Sequence, residues 1–161
     1  MDLTRPAKLV ETHDLSAFDC GEDSINEYLL KKALKSQRAK HASVFVTCIK
    51  GTATVVGYYS LSGGQVLRSS VMPKKAQRNS PDMHPVTILG RMGVCQTAQG
   101  QGVSLDLLKD AIERSIFASE NVASTALVVH PLNERLATFY EKAGFIRCNS
   151  LSPISMMLPF S

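Results

Sequence analysis

No two of the four cysteines, Cys20, Cys48, Cys95 and Cys148, form a Cys-x-x-Cys pair, and no histidine clusters beside them. That spacing argues against a zinc site and for free, buried thiols in a reducing cytoplasm. No apolar run approaches the roughly 20 residues that a membrane-spanning helix needs. The opening Met1-Asp2-Leu3-Thr4-Arg5-Pro6 lacks the apolar stretch of a signal peptide. Neither a membrane association nor secretion is therefore expected, and the expected compartment is the cytoplasm. Internal repeats and low-complexity segments are absent. The net charge is only +4, with 20% charged and 44% hydrophobic residues, which marks an ordinary globular chain rather than a disordered one. A length of 161 residues suits a single domain, 1–161, with a substantial core.

Against this plain background one stretch stands out. Gln99-Gly100-Gln101-Gly102-Val103-Ser104 lies between an extended apolar run, 86–95, and a run in which Leu105, Leu108, Ile112 and Ile116 recur at helical spacing. A strand, a glycine turn and a helix start present several backbone N–H groups without intrahelical partners at the positive end of a helix dipole. Such a place suits a phosphate or pyrophosphate, and glycine lets the backbone approach it closely. A dinucleotide fingerprint fails here because Leu105 stands where the third glycine belongs. A P-loop fails because Gly102-Val103-Ser104 has no lysine.

The rest of the chain reads as alternating strands and helices. A short strand is expected at 7–11. A helix follows from Ser24, where Ser24-x-x-Glu27 reads as a capping box and Ile25, Tyr28, Leu29 and Ala33 form an apolar stripe. Strands are expected at 44–49 and 55–61, a basic connection over 66–85, a strand at 86–95 and a helix over 103–118. A strand at 125–129 leads to a helix capped by Asn133 and stopped by Gly144, and a last strand is expected at 154–158. The order β-α-β-β-β-α-β-α-β implies an α/β (α+β) fold, a mixed and mostly antiparallel sheet with helices on both faces. Two basic clusters, Lys31, Lys32, Lys35, Arg38 and Lys40, then Arg68, Lys74, Lys75, Arg78 and Arg91, are either solvated faces or contacts for a polyanion.

Gln99 and Gly102 match the Gln/Arg-x-x-Gly-x-Gly/Ala element with which GNAT N-acetyltransferases bind the pyrophosphate of acetyl-CoA, with Ser104 where Gly or Ala is usual. Phe139-Tyr140-Glu141-Lys142-Ala143-Gly144-Phe145 is similar to that family's Phe-Tyr-x-x-x-Gly-Phe. Further segments narrow the resemblance to the branch of bacterial toxins that acetylate aminoacyl-tRNA. Phe18-Asp19-Cys20-Gly21 with Ile25-Asn26-Glu27-Tyr28-Leu29 resembles its "FDCG…LN.(F/Y)L" opening. Gly57-Tyr58-Tyr59-Ser60-Leu61 resembles "GYY(T/S)L", and Leu89-Gly90-Arg91-Met92-Gly93-Val94 resembles "LGRLA(V/I)". Cys95 departs from the aspartate usual after that strand.

The resemblance implies a GNAT fold and a donor, acetyl-CoA, with no metal. Its pyrophosphate would lie on Gln99, Gly100, Gln101, Gly102, Val103 and Ser104. Its pantetheine arm would lie along Met92, Gly93 and Val94, with Asn133 nearby. It makes Tyr140 the catalytic residue, a phenol protonated at neutral pH that donates to the departing coenzyme A thiolate. By spacing alone Tyr140 could equally be core, and Asn133 simply a helix cap. His130 could be a base or structural. Candidate contacts to the tRNA acceptor stem are Lys31, Lys32, Lys35, Arg38, Lys74, Lys75 and Arg91. The implied partners are aminoacyl-tRNA, a ribbon-helix-helix antitoxin, operator DNA through the antitoxin complex alone, and a second copy in a homodimer. An acetyltransferase of small amines or protein lysines, and a non-catalytic coenzyme A-binding module, remain as alternatives.

Overall fold

A computed structural model of the chain describes residues 1–149 and 154–161. Its strands are β1 (Ala7–Lys8), β2 (Ser43–Cys48), β3 (Val55–Leu67), β4 (Met83–Val94), β5 (Ala126–Val129), β6 (Ile146–Asn149) and β7 (Ser155–Pro159). Its helices are α1 (Asp23–Glu27), which runs through a π-helical turn (Tyr28–Lys32) into α2 (Ala33–Arg38), then α3 (Val103–Ser119) and α4 (Glu134–Lys142). The sheet has seven strands in the order β1-β2-β3-β4-β5-β7-β6. β4 and β5 pair parallel, with Thr87 opposite Leu127, while β1–β2, β2–β3, β5–β7 and β6–β7 pair antiparallel. The sheet is thus mixed and mostly antiparallel, as expected. Among the described residues no helix is long and apolar enough to cross a membrane.

The chain forms two compact units, Met1–Ser62 with Gly90–Ile112, and Gly63–Leu89 with Glu113–Ser161. In the first, the consecutive residues Tyr58 and Tyr59 are both fully buried. Successive strand residues point to opposite faces, so both faces of β3 must be covered. They are, by helices. The Tyr58 hydroxyl donates to the Ile25 carbonyl of α1 over 2.7 Å. The Tyr59 hydroxyl donates to the Asp110 carboxylate of α3, and its ring stacks on Phe45 with centroids 5.2 Å apart. Each phenol buries a ring worth roughly 1.5–3 kcal/mol and still satisfies its hydroxyl. In the second unit Val71, Val86, Ala126, Val128 and Met157 form a core, with Val66, Met72, Ile88 and Cys148 packed against it.

Several boundaries differ from expectation. β1 is two residues long, and β3 and β4 reach into the expected basic connection, to Leu67 and from Met83. The extension passes through Gly64, where a Cβ would stand 2.4 Å from the Ile88 side chain, so close strand pairing there requires glycine. The capping box does not form. The helix starts at Asp23, with Glu22 at its N-cap and no side-chain cap bond. Its entry is fixed from outside instead: Asn26 accepts from the Cys20 amide at 2.8 Å and donates to the Asp19 carboxylate at 2.9 Å. β6 had no forecast, because four residues are too few to show a period.

Candidate active site

Gly100 and Gly102, in the loop between β4 and α3, both have φ +79°, a left-handed backbone that L side chains rarely adopt. A Cβ added at either would meet nothing within 4 Å, so conformation rather than crowding demands glycine, and the surface above the loop is open. Among the described residues nothing accepts a hydrogen bond from the amides of residues 100–105; the first helical bond runs from the Asp106 amide to the Gly102 carbonyl at 3.1 Å. These donors stand at the positive end of a helix of 17 residues. Gln99 faces the other way. Its side-chain amide donates to the Val94 carbonyl at 2.8 Å and the Cys20 carbonyl at 3.0 Å, which ties the loop to β4 and to the turn before α1. Gln99 braces the loop, and the amides that follow it face out.

That turn is itself cross-linked. The Asp19 carboxylate accepts from the Gly21 amide at 2.9 Å as well as from Asn26, and these bonds, the Gly21 bond foremost, hold its carboxyl below the ordinary carboxylate range. The Gln96 amide donates to the Asp19 carbonyl at 2.8 Å and the Cys95 amide to the Val56 carbonyl at 2.7 Å. At the end of β4, Gly93 and Val94 are buried and Met92 half-buried. A Cβ on Gly93 would stand 2.6 Å from Cγ2 of Ile25, so the strand lies directly under α1. Two residues earlier, the Arg91 guanidinium lies over the Tyr28 ring, 4.4 Å from its centroid. The sequence placed Tyr28 on an apolar stripe and in the resembled opening motif; its contact with Arg91 was not foreseen.

Lys31 and Lys32, on the π-helical turn, and Lys35, on α2, are exposed and without ion-pair partners among the described residues. Arg38 is exposed too but pairs with Glu11. These residues and Arg91 belong to the first unit. Lys74 and Lys75 belong to the second, exposed on a short 3-10 turn, Lys74–Gln77. No group of three His, Cys, Asp or Glu side chains among the described residues could hold a metal ion.

Tyr140, Asn133 and His130 lie in the second unit. Asn133 caps α4, its side-chain oxygen accepting from the Leu136 amide at 3.0 Å, and Gly144, with φ +102°, ends the helix. Tyr140 lies between Phe139 and Phe145 in edge-to-face contacts with centroids 5.2 and 5.3 Å away. It is 8% exposed, and burial pushes its hydroxyl up to about 12. No described residue hydrogen-bonds that hydroxyl. Both readings of Tyr140 therefore have a physical basis, a packed ring and a protonated phenol left without a protein partner. His130 is exposed, with Nδ1 3.0 Å from the Ser155 hydroxyl.

Comparison with known proteins bears on what such an arrangement serves. The model of the acetyltransferase (GNAT) family matches residues 9–145. The tRNA-acetylating toxin of Mycobacterium tuberculosis is 35% identical over 153 residues, which are 95% of this chain and 90% of that protein. AtaT complexed with acetyl-methionyl-tRNAfMet is 31% identical with a TM-score of 0.91, covering 98% of this chain and 95% of that one. A tyrosine-to-phenylalanine mutant of AtaT, bound to the C-terminus of the antitoxin AtaR and acetyl-CoA, is 29% identical with a TM-score of 0.82, covering 99% and 94%.

Proposed function

Because this chain belongs to the acetyltransferase (GNAT) family, we propose that it transfers an acetyl group from acetyl-CoA to the α-amino group of an aminoacyl-tRNA and so blocks translation. The observation that carries the donor site is the loop with two left-handed glycines and free amides at the head of α3. Backbone donors with a helix dipole behind them fit a pyrophosphate, and a loop without side chains above Gly100 and Gly102 admits one. Gln99, Gly100, Gln101, Gly102, Val103 and Ser104 hold that group, Gln99 as their brace. Met92, Gly93 and Val94 offer strand edge to the pantetheine amides, and Asn133 contributes from the start of α4. The acceptor class is supported by the relatives, one of them a tRNA-acetylating toxin and another complexed with an acetylated tRNA.

A thioester donor supplies an activated acyl carbon and a thiolate leaving group. The acceptor needs little help from the protein. An α-amino group has a pKa near 7.7–8.0, so roughly a tenth of it is already an uncharged nucleophile at neutral pH. The nitrogen attacks the acyl carbon, the carbon–sulfur bond breaks, and the Tyr140 hydroxyl donates its proton to the departing sulfur. A phenol near 12 is a weaker acid than a thiol of about 8.5, so its proton crosses only as negative charge builds on sulfur. The proton that the nitrogen sheds returns to the tyrosine, and the cycle balances.

Lys31, Lys32, Lys35, Arg38, Lys74, Lys75 and Arg91 contact the phosphates of the acceptor stem. Residues 1–161 act as one catalytic domain, as a homodimer, in the cytoplasm where charged tRNA is found. A ribbon-helix-helix antitoxin neutralises the enzyme, and operator DNA is reached through that complex. The test is transfer of labelled acetyl from acetyl-CoA to charged tRNA, uncharged tRNA, free amino acids and a lysine peptide. Label is expected in aminoacyl-tRNA alone; label in free amines or in the peptide would move the enzyme to the small-amine or protein-lysine class.

A further inference from the structure

We propose that Tyr28 is a positioning residue that fixes the Arg91 guanidinium as a fork for the last phosphodiester of the acceptor, beside the aminoacylated nucleotide. The inference rests on the aminoacyl-tRNA reading above and adds to it the place and the geometry of one contact.

The place follows from the order of residues along β4. If the donor's pyrophosphate sits on the loop 99–104 and its pantetheine runs back along Val94, Gly93 and Met92, the next residue, Arg91, stands beyond the thioester. Each strand residue advances about 3.3 Å, so Arg91 is at the end of the donor from which an acceptor must arrive. The lysines of the π-helical turn and α2 are exposed and without ion-pair partners among the described residues, suited to attracting a polyanion. Arg91 is different.

Its guanidinium carbon lies over the Tyr28 ring, 4.4 Å from the centroid. Tyr28 is buried and stacks in turn on Tyr58, with centroids 6.4 Å apart and planes inclined by 15°. Tyr58 is anchored by its hydroxyl bond to the Ile25 carbonyl. At its other end Arg91 is fixed by its main chain, whose amide donates to the Ser60 hydroxyl at 3.1 Å. Arg91 is exposed, and no carboxylate among the described residues pairs with it. A guanidinium seated over a ring and free of a carboxylate keeps its planar set of N–H donors for a phosphate, whose two oxygens match that fork. An unrestrained arginine loses up to about 2 kcal/mol of rotamer freedom on binding, and here the ring column has already removed much of it.

The experiment compares the wild-type protein with Arg91→Gln, Tyr28→Leu and Tyr28→Phe on charged tRNA. Circular dichroism and acetyl-CoA calorimetry establish that each variant is folded and holds the donor. Arg91→Gln should raise KM for charged tRNA about tenfold, leave kcat within about twofold, and reduce the salt slope of tRNA binding by about 1. Tyr28→Leu should raise the tRNA KM while keeping the salt slope, since the charge remains but is no longer held. Tyr28→Phe, which keeps the ring face, should restore wild-type behaviour. An unchanged tRNA KM or salt slope in Arg91→Gln overturns the proposal, as does an unchanged tRNA KM, or a loss confined to kcat, in Tyr28→Leu. If that variant does not fold, Arg91→Gln alone decides. Failure of the wild-type protein to acetylate any charged tRNA would sink the underlying reading instead, and is read from a separate arm.

Discussion

The side-chain amide of Gln99 donates to the main-chain carbonyl of Val94 across 2.8 Å. With the second bond, to Cys20, this makes Gln99 the tie between the anion loop, the strand β4 and the turn before α1. Gln99→Ala should weaken acetyl-CoA binding by roughly 5–30-fold, the worth of one or two hydrogen bonds, without changing the charge of the site. Titration calorimetry measures it; an affinity equal to wild type would mean that the loop keeps its shape unaided.

Gly102 carries two separable demands, a left-handed backbone and an open surface. Gly102→Ala meets the second but not the first, and should cost about 1–2 kcal/mol in stability to denaturant. Gly102→Glu violates both and adds a negative charge where a pyrophosphate belongs. It should give no detectable heat with acetyl-CoA, and retention of wild-type affinity would remove the loop from the donor site.

Tyr140→Phe keeps the ring and its contacts with Phe139 and Phe145, and breaks no hydrogen bond to any described residue. Fold and acetyl-CoA affinity should persist. Single-turnover transfer to charged tRNA should fall by roughly 10²–10⁴-fold, the usual contribution of a positioned acid. A rate near wild type would make the tyrosine structural.

The pH dependence should be one-sided. As pH rises from 6 to 9 the acceptor's α-ammonium, with a pKa near 7.7–8.0, loses its proton and kcat/KM for tRNA climbs. Tyr140 must stay protonated, and with its hydroxyl at about 12 it does so across this range. No falling limb is expected below about pH 10. Because burial raises this group above its unfolded value of about 10, the stability linked to its neutral form is complete below pH 10 and is lost as pH approaches 12. A decline in rate between pH 7 and 9 on stable, charged tRNA would assign the proton to a different group.

The anion loop and α4 were legible because their signals are local. Gly100 and Gly102 need a special backbone, Asn133 caps over three residues, and Gly144 stops a helix by its own φ. What escaped were relations between distant segments. Ser24-x-x-Glu27 has the spacing of a capping box, yet the helix, tied by Asn26 to Cys20 and Asp19, has its N-cap two residues earlier, at Glu22. Gln99 matched a binding motif, but its partners, 5 and 79 residues away, show that it holds the loop from behind. Gly64 reads as a break in a strand until Ile88 is laid against it. The cation–π pair of Arg91 and Tyr28 joins two motif segments whose spacing says nothing of contact.

Gly93 and Ile25 have a consequence for how this chain can vary. The isoleucine methyl occupies the volume where a side chain at 93 would begin, 2.6 Å from that hypothetical Cβ. The pattern that residues 89–94 resemble carries alanine at this point, and that alanine's Cβ would collide with Ile25 as it stands here. The two positions form a lock and its key cut from the same chain. A larger residue at 93 demands a smaller one at 25, and a strand that carries alanine at this place could enter this chain only together with a helix that makes room for it.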